Sequence, residues 1–253
     1  MKTLIPTLFL ICSILSLSIH AQRQSLLSRN RSGTIRSPEI GKTVIVVDDT
    51  LSVLRSRPSL FAEPIQRMRR GRKIRILDSA EADGVKFYKV TAPPKNHGWV
   101  QTDAVFGRFR TGDEERLARL VQALDGFDQV EAAVEFFKLC PKSKYKASIL
   151  LLFGDVIEEA AVQMSRQAGS RLSRKEMAAS QAPMHSYYLN FNMLDRYRRL
   201  GVVFLFNPST RQFHYSGASW REIVAKFPAS PEASEANRRL DALNVKMQQT
   251  TSK

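Results

Sequence analysis

VIVVDDTLSVLRSRPSLFAEPIQRMRRGRKIRILDSAEADGVKFYKVTAPPKNHGWVQTDAVF, residues 44–106, decides the fold. Within it VIVVDD (44–49), KIRIL (73–77) and VKFYKV (85–90) are short runs rich in β-branched and aromatic side chains. SRPS, RRG, DSAEADG and APPKNHG separate them with turn chemistry, so the stretch reads as several strands of about 4 to 6 residues. The expected architecture is a small barrel or sandwich.

Alternation within KIRIL puts Lys73 and Arg75 on one face and Ile74 and Ile76 on the other, because successive side chains leave a strand on opposite sides. With Arg67, Arg69, Arg70 and Arg72 just before them, they make the densest basic cluster of the chain. It reads either as a solvated face or as a surface for an anionic polymer, since the forked guanidinium suits carboxylate and phosphate. Phe87 and Tyr88 are adjacent, so one ring is expected inside and the other outside, where it would wall a groove with His97. Trp99 reads as a core residue or as a further binding ring.

Four pieces, LRSRPS (54–59), RRGRKIRIL (69–77), KFYKV (86–90) and GWV (98–100), stand in an order and at a spacing that resemble a bacterial Src-homology-3-like (SH3-like) domain. Members of that family repeat a V-R-x-G-P-S turn, a K-G-x-x-V-x-V-L strand, a W-Y-K-V strand and a closing G-W-V. The match covers about a quarter of the chain. Arg57 stands where the family usually has the turn glycine, and the loop 92–97 is longer and carries Pro93 and Pro94. The resemblance implies a small all-β barrel over residues 44–107 that recognises envelope or peptidoglycan-type ligands. The residues expected to touch such a ligand are Arg69, Arg70, Arg72, Lys73, Arg75, Phe87, Tyr88, His97 and Trp99.

Beyond Gly107 the hydrophobic period changes from two to 3.6. Leu117, Leu120, Val121 and Leu124 share one helical face behind Asp113, Glu114 and Glu115, whose charges suit a helix N-terminus. Asp128 is expected to cap a second helix that Pro141 ends, and a third runs from Ser143 to about Gln167. These three should stack as antiparallel neighbours. A polar loop is expected at 169–175, then a weak helix before Pro183 and a stronger one over 187–200, stopped by Gly201. Residues 202–206 and 211–215 flank Asn207-Pro208-Ser209-Thr210 and read as an inserted β-hairpin.

FFKLCPKSKYKASILLL (136–152) and IVAKFPASPEASEANRRL (223–240) echo each other: a helix end, a proline, a serine two places on, and a new helix. Ser143 and Ser230 are expected caps, with Pro231 in the first turn. The pattern resembles the tetratricopeptide-like helical hairpins of bacterial envelope proteins, and it implies protein partners for an all-α domain over 108–247. A disordered tail is expected at 248–253.

Catalytic patterns are missing from the sequence. His97, His185 and His214 show no metal-ligand spacing, Cys140 follows an apolar stripe as a buried small hydrophobe does, and the Asp125/Asp128 and Glu158/Glu159 pairs read as caps or helix surface. There is no glycine-rich phosphate loop and no G-x-S-x-G. No cofactor and no enzymatic activity are expected.

Residues 1–21 carry Lys2, an apolar run over 8–19 and Ala21, the layout of a secretory signal peptide. Leu10-Ile11 before Cys12 puts a bulky side chain where lipidation needs a small one. Residues 22–43 read as a flexible basic tether. Without Cys12 the chain has one cysteine, so its stability must come from its cores. The net charge is +15, of which Lys2 supplies +1 and residues 22–43, 44–106 and 107–253 supply +4, +4 and +6, and the pI is near 10.2. This balance favours anionic partners, envelope polymers among them, with nucleic acid not the expected one. The expectation is an exported, periplasmic or extracellular binding or scaffold protein. The alternative is a cell-wall hydrolase, or its accessory, with an unrecognised site.

Overall fold

Alternation governs the first half of the chain. β1 (Thr43–Val46), β2 (Val53–Arg55), β3 (Pro64–Arg67), β4 (Lys73–Ala82), β5 (Val85–Ala92), β6 (Asn96–Gln101) and β7 (Val105–Phe106) form one antiparallel sheet, in the order β3-β2-β6-β5-β4-β1-β7. Its inner face buries Val44, Val46, Leu54, Ile74, Ile76 and Val90, each worth about 1.5–3 kcal/mol removed from water. Asp83 and Gly84, both left-handed (φ 54° and 71°), make the two-residue turn between β4 and β5 whose twist matches the strands. The sheet departs from the expected barrel by staying open at β3 and β7. β3 begins at Pro64, which has no N–H to donate, and β7 has two residues. The computed structural model describes residues 37–93 and 96–249. The expected leader, Cys12, most of the tether, Pro94 and Lys95, and residues 250–253 of the tail lie outside them.

Helices follow: α1 (Asp113–Ala123), α2 (Gly126–Leu139), α3 (Lys146–Arg171), α4 (Arg174–Ala179), α5 (Met184–Leu189) and α6 (Asp195–Arg198). The hairpin β8 (Phe204–Asn207) and β9 (Gln212–Tyr215) comes next, then α7 (Ala218–Lys226) and α8 (Pro231–Gln248). α2 starts two residues before Asp128, and α3 runs past the loop expected from Gly169. The helix expected over 187–200 is broken into α5, a 3-10 turn at Asn192–Leu194 and α6. Asn190, Asn192 and Asp195 fall in that span, and short polar side chains of this kind compete with helical hydrogen bonding. Ser230 takes the expected N-cap position of α8 with Pro231 in the first turn, but its hydroxyl is buried without a partner, and Ser143 lies two residues before the cap position of α3, where its Oγ accepts from Tyr145 N at 3.0 Å and donates to Glu114.

α3 is the spine of the helical core, which gathers Val130, Ile157, Leu194, Phe213, Trp220 and Ile223 among others. Gly154 lets α7 approach, since a Cβ there would lie 2.2 Å from Trp220 Nε1. A second cluster joins sheet to helices: Val47 and Phe106 pack with Leu117, Val121, Phe136 and Ile149. At the same joint the buried Asp113 carboxylate accepts from Gly107 N at 2.8 Å and pairs with Arg110 at 2.7 Å and Arg116 at 3.3 Å. By contacts the sheet and the helices belong to one compact unit that starts at Glu39. Among the described residues no helix is long and apolar enough to cross a membrane.

Candidate functional site

Residues paired across an antiparallel sheet share a face, so the register itself assembles a surface. Arg75 on β4 stands opposite Thr91 on β5, and Thr91 opposite His97 on β6. The next row is Asp78, Lys89, Trp99 and Arg55, taken across β4, β5, β6 and β2. Lys73 lies two residues from Arg75 on the same side. These side chains face away from the apolar inner layer. Lys73, Arg75, Lys89 and His97 are exposed, and Trp99 is half-buried.

Two local features fix the rings. A Cβ on Gly98 would meet Arg55 O at 2.7 Å and Leu54 Cγ at 2.8 Å, so only glycine lets β6 cross β2 here and set His97 and Trp99 outward on either side. Thr91 Oγ1 and His97 Nδ1 are hydrogen-bonded at 3.3 Å, and the Lys89 ammonium sits 6.0 Å from the Trp99 ring centre, within cation–π range. Lys73, Arg75 and Lys89 have no ion-pair partner among the described residues. The face is a cationic platform with one half-open indole.

The expected basic cluster divides in two. Arg67 donates to Asp49 O and Thr50 O, each at 2.7 Å, and Arg72 donates to Pro93 O at 3.1 Å. Arg70, with its side chain 9% exposed, donates to Val47 O at 2.8 Å and Asp128 O at 2.9 Å and lies 3.8 Å from Glu131. It pins the sheet to α2. Arg69, Lys73 and Arg75 stay exposed.

Phe87 and Tyr88 correct the expectation that the outward ring of the pair is open to wall a groove: both are fully buried. Tyr88 belongs to the inner core, where burial and the Glu39 carboxylate push its phenol up to about 12 against the pull of Arg110. Phe87 has the outward parity but lies beyond the Ile76/Asp78 bulge, at the hairpin end where Ser59 Oγ and Leu60 N tie the 56–63 loop to Asp83, each at 2.7 Å. Lys89 and Thr91, missed from the sequence, carry the same alternation as Phe87. The signal was there, but only the register of β5 on β6 shows that they flank Trp99 and His97.

A second polar centre joins the helices. Glu158 Oε1 is 3.0 Å from His214 Nδ1 and 2.6 Å from Lys246 Nζ, and Oε2 accepts from Tyr215 N at 2.7 Å. Burial raises this carboxyl, but the three donors outweigh it and hold the group at about 2. This corrects the reading of Glu158 as helix surface. His214 Nε2 is itself buried without a hydrogen-bond partner. Cys140 is buried in the joint cluster, with burial first and Glu114 second pushing its thiol up to about 11. Among the described residues no three His, Cys, Asp or Glu are grouped to hold a metal. Compared with protein-family models, curated proteins and solved structures, the chain gives no match.

Proposed function

We propose that the chain is an exported, non-enzymatic binding or scaffold protein of the bacterial cell envelope. Its sheet is read as a Src-homology-3-like module that holds an anionic envelope polymer or peptidoglycan, and its helical region as a tetratricopeptide-like module for protein partners. The observation that carries the reading is the outer face of the sheet, where Lys73, Arg75 and Lys89 stand unpaired around Trp99 and His97. A polyanion laid across β4, β5 and β6 gains three cations without breaking an ion pair, and the half-open indole offers it an apolar contact. The raised Cys140 thiol weighs against a cysteine nucleophile at that position, since a thiolate needs the opposite shift.

Sedimentation with purified peptidoglycan sacculi tests this. The chain should pellet at low salt and be released as salt rises, because exposed charges are screened beyond about 8 Å at physiological ionic strength. Changing Lys73, Arg75 and Lys89 together to Gln should abolish pelleting while moving stability by no more than about 0.5 kcal/mol. Arg70→Gln is the contrasting variant: it should cost about 1.5–3 kcal/mol by removing charged hydrogen bonds. If the triple variant pellets as the parent does, the face is not the binding surface.

A further inference from the structure

Three hollows of about 710, 320 and 310 Å³ adjoin one another in the helical region, around the short helix α4. Leu172 lines the first and second, Ala182 the first and third, and Met177 and Arg211 the second and third, so they share walls. α4 is a strap rather than a packed helix. Among its described side chains Lys175, Glu176, Ala178 and Ala179 are exposed and Met177 is half-buried, and Met177 and Ala178 are the ones that line the hollows. The strap ends at Gln181, which is left-handed (φ 56°), and Arg211 on the opposite wall is left-handed as well (φ 58°). Non-glycine residues in that conformation cost energy and gather where function demands it.

The chemistry of the walls is one-sided. Leu172, Met177, Met184, Tyr188, Phe191 and Phe213 supply apolar surface, and methionine side chains adapt to irregular ligands. Arg166, Arg171 and Arg211 stand at the rims, exposed, and none of the three is ion-paired among the described residues. No aspartate or glutamate lines any of the hollows. Their size is that of small-molecule sites, about 300–1,000 Å³.

We infer that this cleft binds an anionic amphiphile, a compound with a single carboxylate or phosphate on an apolar body. The arginines take the head group by forked hydrogen bonds while the body lies between α3, α5 and the β8–β9 hairpin under the strap. This site is separate from the sheet face and does not depend on the envelope reading.

Calorimetric titration of the full chain with dodecanoate and dodecyl phosphate below their micellar concentrations, and with dodecanol below its solubility limit, tests it. One equivalent of an anionic probe should bind, and dodecanol should bind at least about tenfold more weakly, the loss of about 1.4 kcal/mol. Arg171→Gln and Arg211→Gln should each weaken the anion by about tenfold and leave dodecanol unchanged, with melting curves confirming that both variants fold. Lys175→Gln, on the strap but not in the walls, and Lys73→Gln on the sheet should bind as the parent does. A preference for dodecanoate would identify a free fatty acid as the source, and a preference for dodecyl phosphate a phospholipid. Equal binding of dodecanol, no binding of any probe, or arginine variants indistinguishable from the parent would overturn the inference.

Discussion

A carboxylate that keeps its charge while largely out of water must be surrounded by donors, and Glu158 has His214, Lys246 and the Tyr215 amide around it. Its folded value of about 2 lies below the ordinary 4.5, so the native state prefers the ionised form. The stabilisation, about 3 kcal/mol from a shift of this size, is present above the ordinary value and is lost as pH falls through 4.5 toward 2. Melting temperatures measured from pH 7 to pH 2 should fall through that window, and Glu158→Gln should lower the neutral value and flatten the fall. An unchanged acid limb in Glu158→Gln would show that other carboxylates dominate. None of this was legible in the sequence, where Glu158 sits on a helix beside Glu159 and its partners are 56 and 88 residues away. The outward placing of Lys73 and Arg75 was legible, because alternation along one strand is local.

Between elements, the close approach of α3 and α7 rests on a missing methyl group. Gly154→Ala would drive a Cβ into Trp220 Nε1 and Ser219 Oγ, at 2.2 and 2.7 Å from its ideal position, and should cost about 1–3 kcal/mol by overpacking. Denaturant midpoints will show this, and the cost should shrink when Trp220→Leu is added; undiminished loss in the double variant would place the strain elsewhere. The helices α1 to α3 could be read from their apolar period because each presents a continuous face to a core. The break of the 187–200 segment into α5, a 3-10 turn and α6 could not. Phe191, Leu194 and Tyr197 keep a helix-like spacing; the weak helix formers Asn190, Asn192 and Asp195 permit a break, and the packing of Tyr197 on Phe127 and Phe204 decides where it falls.

At the scale of the molecule, the change from sheet to helix near residue 107 was visible as a change of period, but the joint that forms there was not. Its parts are far apart in sequence: Val47 packs with Phe136, and Arg70 reaches Asp128 O. Limited trypsin digestion should therefore spare residues 108–116 although three arginines lie among them, and thermal unfolding should show one transition by circular dichroism. Two stable fragments meeting in that segment would show that the joint is weak. The C-terminal end of α8 is tied down in its turn. Asn207 Nδ2 donates to Lys246 O at 2.9 Å and Gln249 O at 3.0 Å, while its Oδ1 accepts from Ser209 N at 2.9 Å, so one amide organises the hairpin turn and receives the end of α8. During synthesis every strand of the large sheet has been made by residue 106, but the helical core waits for Leu243 and for the carbonyls that Asn207 grips. The growing chain thus carries a full set of sheet strands beside an unclosed set of helices until α8 has been made.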